Sequence, residues 1–174
     1  MEEKGFSKVI LGIDPGTRIT GYGLVRLDGS TLAPLDFGCI RPPIKLSLAE
    51  RYLIIFNGLE HLLEKYSPDA VSVELQFVDK NVQSALKLGM VRGVVLLACA
   101  KWKVPIFEYA PTRAKRSIAG SGSASKATVQ KMVQLLLKLE KIPEPEDAAD
   151  ALALAVCHAN TMRRTLCTNI LEAR

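Results

Sequence analysis

Val9-Ile10-Leu11-Gly12-Ile13-Asp14-Pro15-Gly16-Thr17 is the stretch on which the reading of this chain turns. A short apolar run ending in Asp-Pro-Gly predicts a buried strand that stops in a tight turn. A carboxylate at that point is either a turn former before Pro and Gly or a functional group at a strand end. The stretch alone leaves both readings open.

Working outward, Thr20 to Arg26 and Thr31 to Ile40 predict two further strands around the turn signal Asp28-Gly29-Ser30. Leu48, Tyr52, Ile55, Phe56, Leu59, Leu62, Leu63 and Tyr66 recur at helical spacing, so Ser47 to Tyr66 predicts a helix, opened by a Ser47/Glu50 capping box. Ala70 to Val73 predicts a fourth strand with Glu74 at its carboxyl end, where sites gather in open α/β sheets. Asn81 to Ala100 predicts a helix whose apolar surface is wide enough for burial on two sides, against the sheet and a second subunit.

Val104 to Tyr109 predicts the fifth strand, followed by a Gly- and Ser-rich loop at Gly120 to Ser125 and a helix over Ala127 to Leu139. Pro143 and Pro145 separate that helix from a last one, Asp147 to about Thr165. The predicted order is βββαβαβαα, in a single domain over 1–174 with a core at about 8–165 and a tail at 166–174.

Composition narrows the class. With 48% apolar and 24% charged residues, no apolar run near the roughly 20 residues that span a bilayer, and no secretory pattern in Met1 to Lys8, the expectation is a cytoplasmic protein. Cys39, Cys99, Cys157 and Cys167 form no C-x-x-C, which argues for small buried hydrophobes and against structural zinc. Between Ala110 and Leu139 there is no acid, whereas Arg113, Lys115, Arg116, Lys126, Lys131 and Lys138 all lie there. Such a basic zone suits an anionic partner.

The acids of interest stand at three stations: Asp14, Glu74, and the Asp147/Asp150 pair in the first turn of the last helix. Glu74 interrupts a β-branched strand, an unfavourable place for a charge unless it is paired or binds metal. Asp147 and Asp150 also read as helix-start residues favoured by the macrodipole. Together, clustered carboxylates need cations to neutralise them, and hard oxygen donors suit Mg²⁺ or Mn²⁺. A pair of such ions activates water and stabilises the leaving oxygen of a phosphodiester, while Lys and Arg bring the phosphate backbone to the acidic site.

Five segments carry a family resemblance: GIDPGTRITGYG (12–23), ELQFVDKN (74–81), SALKLGMVRG (84–93), FEYAP (107–111) and DAADALALA (147–155). In this order the chain, from about residue 9 to 160, resembles the RuvC family of Holliday junction resolvases. The resemblance implies an α/β, ribonuclease H-like fold with a mixed five-stranded sheet flanked by helices. It also implies a homodimer that makes paired symmetrical nicks across four-way junction DNA, with two Mg²⁺ per subunit for which Mn²⁺ substitutes, and RuvA and RuvB as partners.

The family's four metal-binding acids match Asp14, Glu74, Asp147 and Asp150, and its lysines near the scissile phosphate match Lys115 and Lys126. Lys126 joins the four acids as a catalytic candidate. Phe77 falls where the family has an aromatic able to stack on a splayed base, with a core residue as the alternative. Arg113 and Arg116 complete the expected DNA contacts. Leu75 departs from the family's usual Gln after the catalytic Glu, and His158 reads as structural. A junction-binding protein without catalysis and a YqgF-like nuclease, which shares the opening hairpin, are the alternatives; the phosphate-loop hairpin of actin-like ATPases is disfavoured because those enzymes need two such domains.

Overall fold

The computed structural model describes residues 6–75 and 82–172, with side chains to Thr165 in the last helix. Strands β1 (Ser7–Asp14), β2 (Thr20–Asp28) and β3 (Thr31–Ile40) form the opening meander, and β4 (Ala70–Glu74) and β5 (Ile106–Tyr109) extend it. The helices are α1 (Leu48–Tyr66), α2 (Val82–Lys101), α3 (Pro111–Ala119), α4 (Lys126–Leu137) and α5 (Glu146–Glu172). Sheet order is β3-β2-β1-β4-β5, with β1, β2 and β3 antiparallel and β1, β4 and β5 parallel. Gly29, at φ 57°, takes the left-handed conformation that the tight β2–β3 turn requires.

Strand alternation divides the core into two layers. Leu11, Ile13, Leu24, Val71 and Val73 face α1 and α2, meeting Ile55, Leu59, Leu63, Val91 and Val95. On the other face Ile10, Val25 and Leu27 meet Val129 and Val133 of α4 and Leu152 and Val156 of α5. The Ser47/Glu50 capping box is present, with both of its hydrogen bonds formed.

Four expectations need correction. Pro111 to Ala119, read as part of a basic zone without secondary structure, is helix α3; Pro111 at its start suits a first helical turn, and Gly120 ends it in the left-handed region. Lys138, also left-handed, stops α4 at Leu137 instead of Leu139. Helix α5 continues to Glu172, beyond the expected end near Thr165 and through most of the expected tail. Helix α2 is long and apolar enough by length and composition to cross a membrane, although Lys87 and Arg92 interrupt it.

Of the cysteines, Cys99 and Cys157 are buried and Cys39 half-buried, all three as free thiols. His158 is buried against Phe107 at a ring distance of 4.2 Å, and its Nδ1 lies 2.7 Å from the Tyr109 hydroxyl. That is the structural setting expected of it.

Candidate active site

Sheet register brings the first two acids together. Ile13 pairs with Val73 across the parallel β1–β4 ladder, so Asp14 and Glu74, the last residues of their strands, lie side by side at the carboxyl edge. Both share the parity of Gly12 and Ser72 and therefore point to the face covered by α5. Behind Asp14 the Pro-Gly-Thr loop is fixed from within: the buried Thr20 hydroxyl donates to the Gly16 carbonyl at 2.8 Å, and Arg51 of α1 donates to the Thr17 carbonyl.

Helix α5 supplies the other pair because the sheet beneath its start is bare at Gly12 and Gly21. A β-carbon on Gly12 would collide with the Ala151 carbonyl and come within 2.8 Å of the Ala155 amide nitrogen; one on Gly21 would collide with the Asp147 carbonyl. Ala148, Ala149, Ala151 and Ala155 are fully buried in return. Glycine under alanine lets the helix start approach the strand end closely enough for Asp147 and Asp150 to act on Asp14.

The result is a cleft of about 270 Å³ lined by Asp14, Glu74 and Asp150 together with Lys115 and Lys126. Lys126 Nζ lies 3.1 Å from Glu146 Oε2 and 3.7 Å from Asp150 Oδ2. Burial, then the charges of Glu74, Asp150 and Asp147, push Asp14 up to about 8 despite Lys126. Burial and the Asp150 charge also raise Glu74, with Lys115 and Lys126 opposing. Asp150 rises through burial and Asp147, offset by Lys126 and Lys115. The carboxylates thus sense one another strongly, and two lysines do not compensate them.

This donor set fits a hard divalent cation: it is all carboxylate oxygen, partly withdrawn from water, and carries negative charge that the protein leaves unneutralised. Among the described residues no three acidic, His or Cys side chains stand close enough, as they are, to enclose an ion.

Asp147 is not among the residues lining the cleft, but its charge acts on Asp14 and Asp150. Arg113 and Arg116 lie outside that cleft and line a separate pocket between α3 and α5. Phe77 lies outside the described residues. Three residues near the acids escaped the sequence reading. Glu146 binds Lys126, and it stands one residue before Asp147 in P-E-D, where only the ion pair distinguishes it from an ordinary first-turn acid. Cys39 comes from β3 and Arg41 follows its end: burial, then the charge of Asp147, raises the Cys39 thiol to about 11, while Arg41 lowers it. No local signal marks a residue that reaches a site only through sheet pairing.

The profile of the family described as "Crossover junction endodeoxyribonuclease RuvC" matches residues 10–158. A protein of that name from Protochlamydia amoebophila is 58% identical over 151 residues, which are 87% of this chain and 90% of that protein. Another from Ruminiclostridium cellulolyticum is 47% identical over 155 residues, 89% of this chain and 93% of that protein. Among solved structures, "T. thermophilus RuvC in complex with Holliday junction substrate" aligns with a TM-score of 0.85 at 34% identity, covering 91% of this chain and 96% of that one. The yeast mitochondrial Holliday junction resolvase Ydc2, at 14% identity and a TM-score of 0.62 over 97% of this chain and 89% of that one, shares the fold. The chain belongs to the RuvC family of metal-dependent crossover junction endodeoxyribonucleases, and is a nuclease of ribonuclease H-like fold that resolves four-way DNA junctions.

Proposed function

We propose that this nuclease cuts through paired symmetrical nicks made by two copies of the chain, each using Asp14, Glu74, Asp147 and Asp150 to hold two Mg²⁺, which Mn²⁺ replaces. The reading rests above all on one observation: Asp14, Glu74 and Asp150 meet in one cleft with Lys115 and Lys126. When bound, the divalent cations supply Lewis-acid polarisation of the phosphate and acidify a water for in-line attack.

The side chains do the positioning. Asp14, between Glu74 and the α5 pair, would serve as a ligand in its ionised form and keep the two halves of the carboxylate set together. Lys126 is held by Glu146 and Asp150 beside the cleft, poised to offset negative charge developing on the phosphorus oxygens. Lys115 approaches the same cleft from α3 and brings the anionic strand to an acidic floor. The products are a 5′ phosphate and a 3′ hydroxyl, left in two strands of like polarity.

Homodimer formation is supported by α2, where Val82, Leu86, Met90 and Leu97 are exposed on a helix whose buried side already packs on α1. Phe77 is the candidate for stacking on an unpaired base, and Arg113 and Arg116 for backbone contacts. By likeness to the family, RuvA and RuvB are the partners, the cytoplasm the location, and 1–174 one nuclease domain.

The test is a labelled four-way junction beside a matched linear duplex, incubated with Mg²⁺ or chelator. Expected are metal-dependent nicks in opposite strands of the junction alone. Asp14→Asn is expected to abolish them with junction binding retained, and Lys126→Ala to slow them roughly 10²-fold or more. Cutting retained by Asp14→Asn would overturn the assignment; tight binding without cutting by the unaltered chain would favour the non-catalytic alternative.

A further inference from the structure

A second pocket lies on the other side of α3 from the carboxylates. It has a volume of about 110 Å³, roughly that of three to four waters, and is lined by Arg113, Arg116 and Ser117 of α3 and by Asn160, Thr161 and Arg164 of α5, over Cys157. Three guanidinium-bearing side chains share it, and the lining contains no carboxylate. Among the described residues neither Arg113 nor Arg116 has an acidic partner within ion-pair distance.

The other polar groups hold the wall in place. Arg113 stacks on the Tyr109 ring, its guanidinium carbon 4.9 Å from the ring centre, and contacts the Thr161 hydroxyl at 3.4 Å, so it is oriented before any ligand arrives. Asn160 accepts from Arg163 through Oδ1 at 3.3 Å and donates through Nδ2 to Ser117 Oγ at 3.1 Å, while the Ser117 hydroxyl engages the Cys157 thiol. A small pocket lined by three guanidinium-bearing side chains, with its hydroxyl and amide groups held by partners in the wall, complements a tetrahedral oxyanion.

Its place along α5 names the anion. The carboxylate cleft uses Asp150, Ala153 and Leu154, and the arginine pocket uses Cys157, Asn160, Thr161 and Arg164. The two are offset by about eight residues, or roughly 12 Å at 1.5 Å per residue. That offset sets the pocket apart from the carboxylate cleft, so a phosphate held there is another one of the backbone and not the scissile one.

We propose that Arg113, Arg116 and Arg164 clamp one unreacted backbone phosphate, distinct from the scissile one, and so set the register of the strand in the carboxylate cleft. The inference rests on the junction-cutting reading above. It differs from general attraction by a basic surface in assigning three arginines to a single phosphate.

That difference is measurable. Junction affinity is determined in chelator as a function of salt for the unaltered chain, each Arg→Gln variant and the triple variant, with folding checked by circular dichroism. Each phosphate neutralised contributes about 0.9 to the slope of log affinity against log salt. A shared phosphate predicts that the triple variant loses about one from that slope. A neutral methylphosphonate placed singly at each of the first six positions from the cut should weaken the unaltered chain at one position only, away from the scissile phosphate, and leave the triple variant unaffected there. Should the triple variant not fold, Arg116→Gln on its exposed turn of α3 should blunt the same single position.

A slope loss of about three in the triple variant would mean three separate phosphates and overturn the clamp, as would equal sensitivity at all positions. Inorganic phosphate that stabilises the unaltered chain but not the triple variant against heat, with the junction results unchanged, would assign the pocket to a free anion and likewise overturn it. Failure of the unaltered chain to bind a junction would instead strike the functional reading on which it rests.

Discussion

Gly21, the register partner of Asp14 across the β1–β2 ladder, lies so close under Asp147 that a β-carbon there would overlap the Asp147 carbonyl oxygen. One backbone contact therefore ties the first strand's acid to the helix that carries the other two. The distance between the two halves of the site is set by the absence of a side chain.

Replacing it should separate stability from chemistry. Gly21→Ala forces α5 away from β2, and overpacking of this kind costs about 1–3 kcal/mol. We expect a lower urea midpoint and a cleavage rate at least tenfold down under single turnover with saturating enzyme, while junction affinity stays within about twofold. An unchanged rate would show that the Gly21–Asp147 contact does not position the acids.

The raised pKa of Asp14 makes the metal-free site a source of instability at neutral and higher pH. Its folded value, near 8, lies above the ordinary carboxyl value of 3.8, so the folded state holds the proton more tightly. Its contribution is fully favourable at low pH and is lost as pH rises from about 4 through 8. In chelator, Asp14→Asn should therefore melt higher than the unaltered chain at pH 8, by on the order of 2 kcal/mol, and the gap should close toward pH 5. Mg²⁺ should stabilise the unaltered chain most at pH 8 and the variant little. Equal melting of the two at pH 8 in chelator would contradict the uncompensated cluster.

His158 carries the opposite sign. Burial lowers it to about 4 from 6.5, so the unfolded chain binds its proton first and stability falls as pH drops from 6.5 toward 4. The loss is on the order of 2–3 kcal/mol. His158→Phe removes the Tyr109 contact and should cost about 1 kcal/mol at pH 7, yet flatten this acid limb. Urea titrations at pH 7, 6, 5 and 4.5 compare the slopes; parallel curves would place the acid sensitivity elsewhere.

The apolar side of α2 gives a further expectation. Leu86 and Met90 are more than half exposed one helical turn apart, a spacing that forms one stripe. Leu86→Asp should shift sedimentation from dimer to monomer and convert paired nicking of a cruciform plasmid, which yields linear DNA, into single nicks that leave open circles. A monomeric unaltered chain would refute α2 as a dimer surface.

Much of this molecule was legible before folding was considered. The five strands, the amphipathic α1 and its cap follow from periodicity and turn residues, which are local properties. Asp14, Glu74, Asp147 and Asp150 could be singled out because each breaks a local pattern or ends an element. Helix α3 was not read because its run is only 9 residues long and mostly polar, although its few apolar residues fall on one face, and its stability comes from burying Ala114 and Ile118.

Sequence by itself determined which side chains carry charge, where most elements lie, and that the glycines at 12 and 21 leave bare backbone. Only the tertiary structure decided which of those charges meet. Lys115 and Arg116 are neighbours in the chain, yet one reaches the carboxylate cleft and the other the arginine pocket, because successive helical residues point about 100° apart and α3 lies between the two. Neighbouring residues on a helix diverge, and residues 133 apart, such as Asp14 and Asp147, are joined through the packing of α5 on glycine.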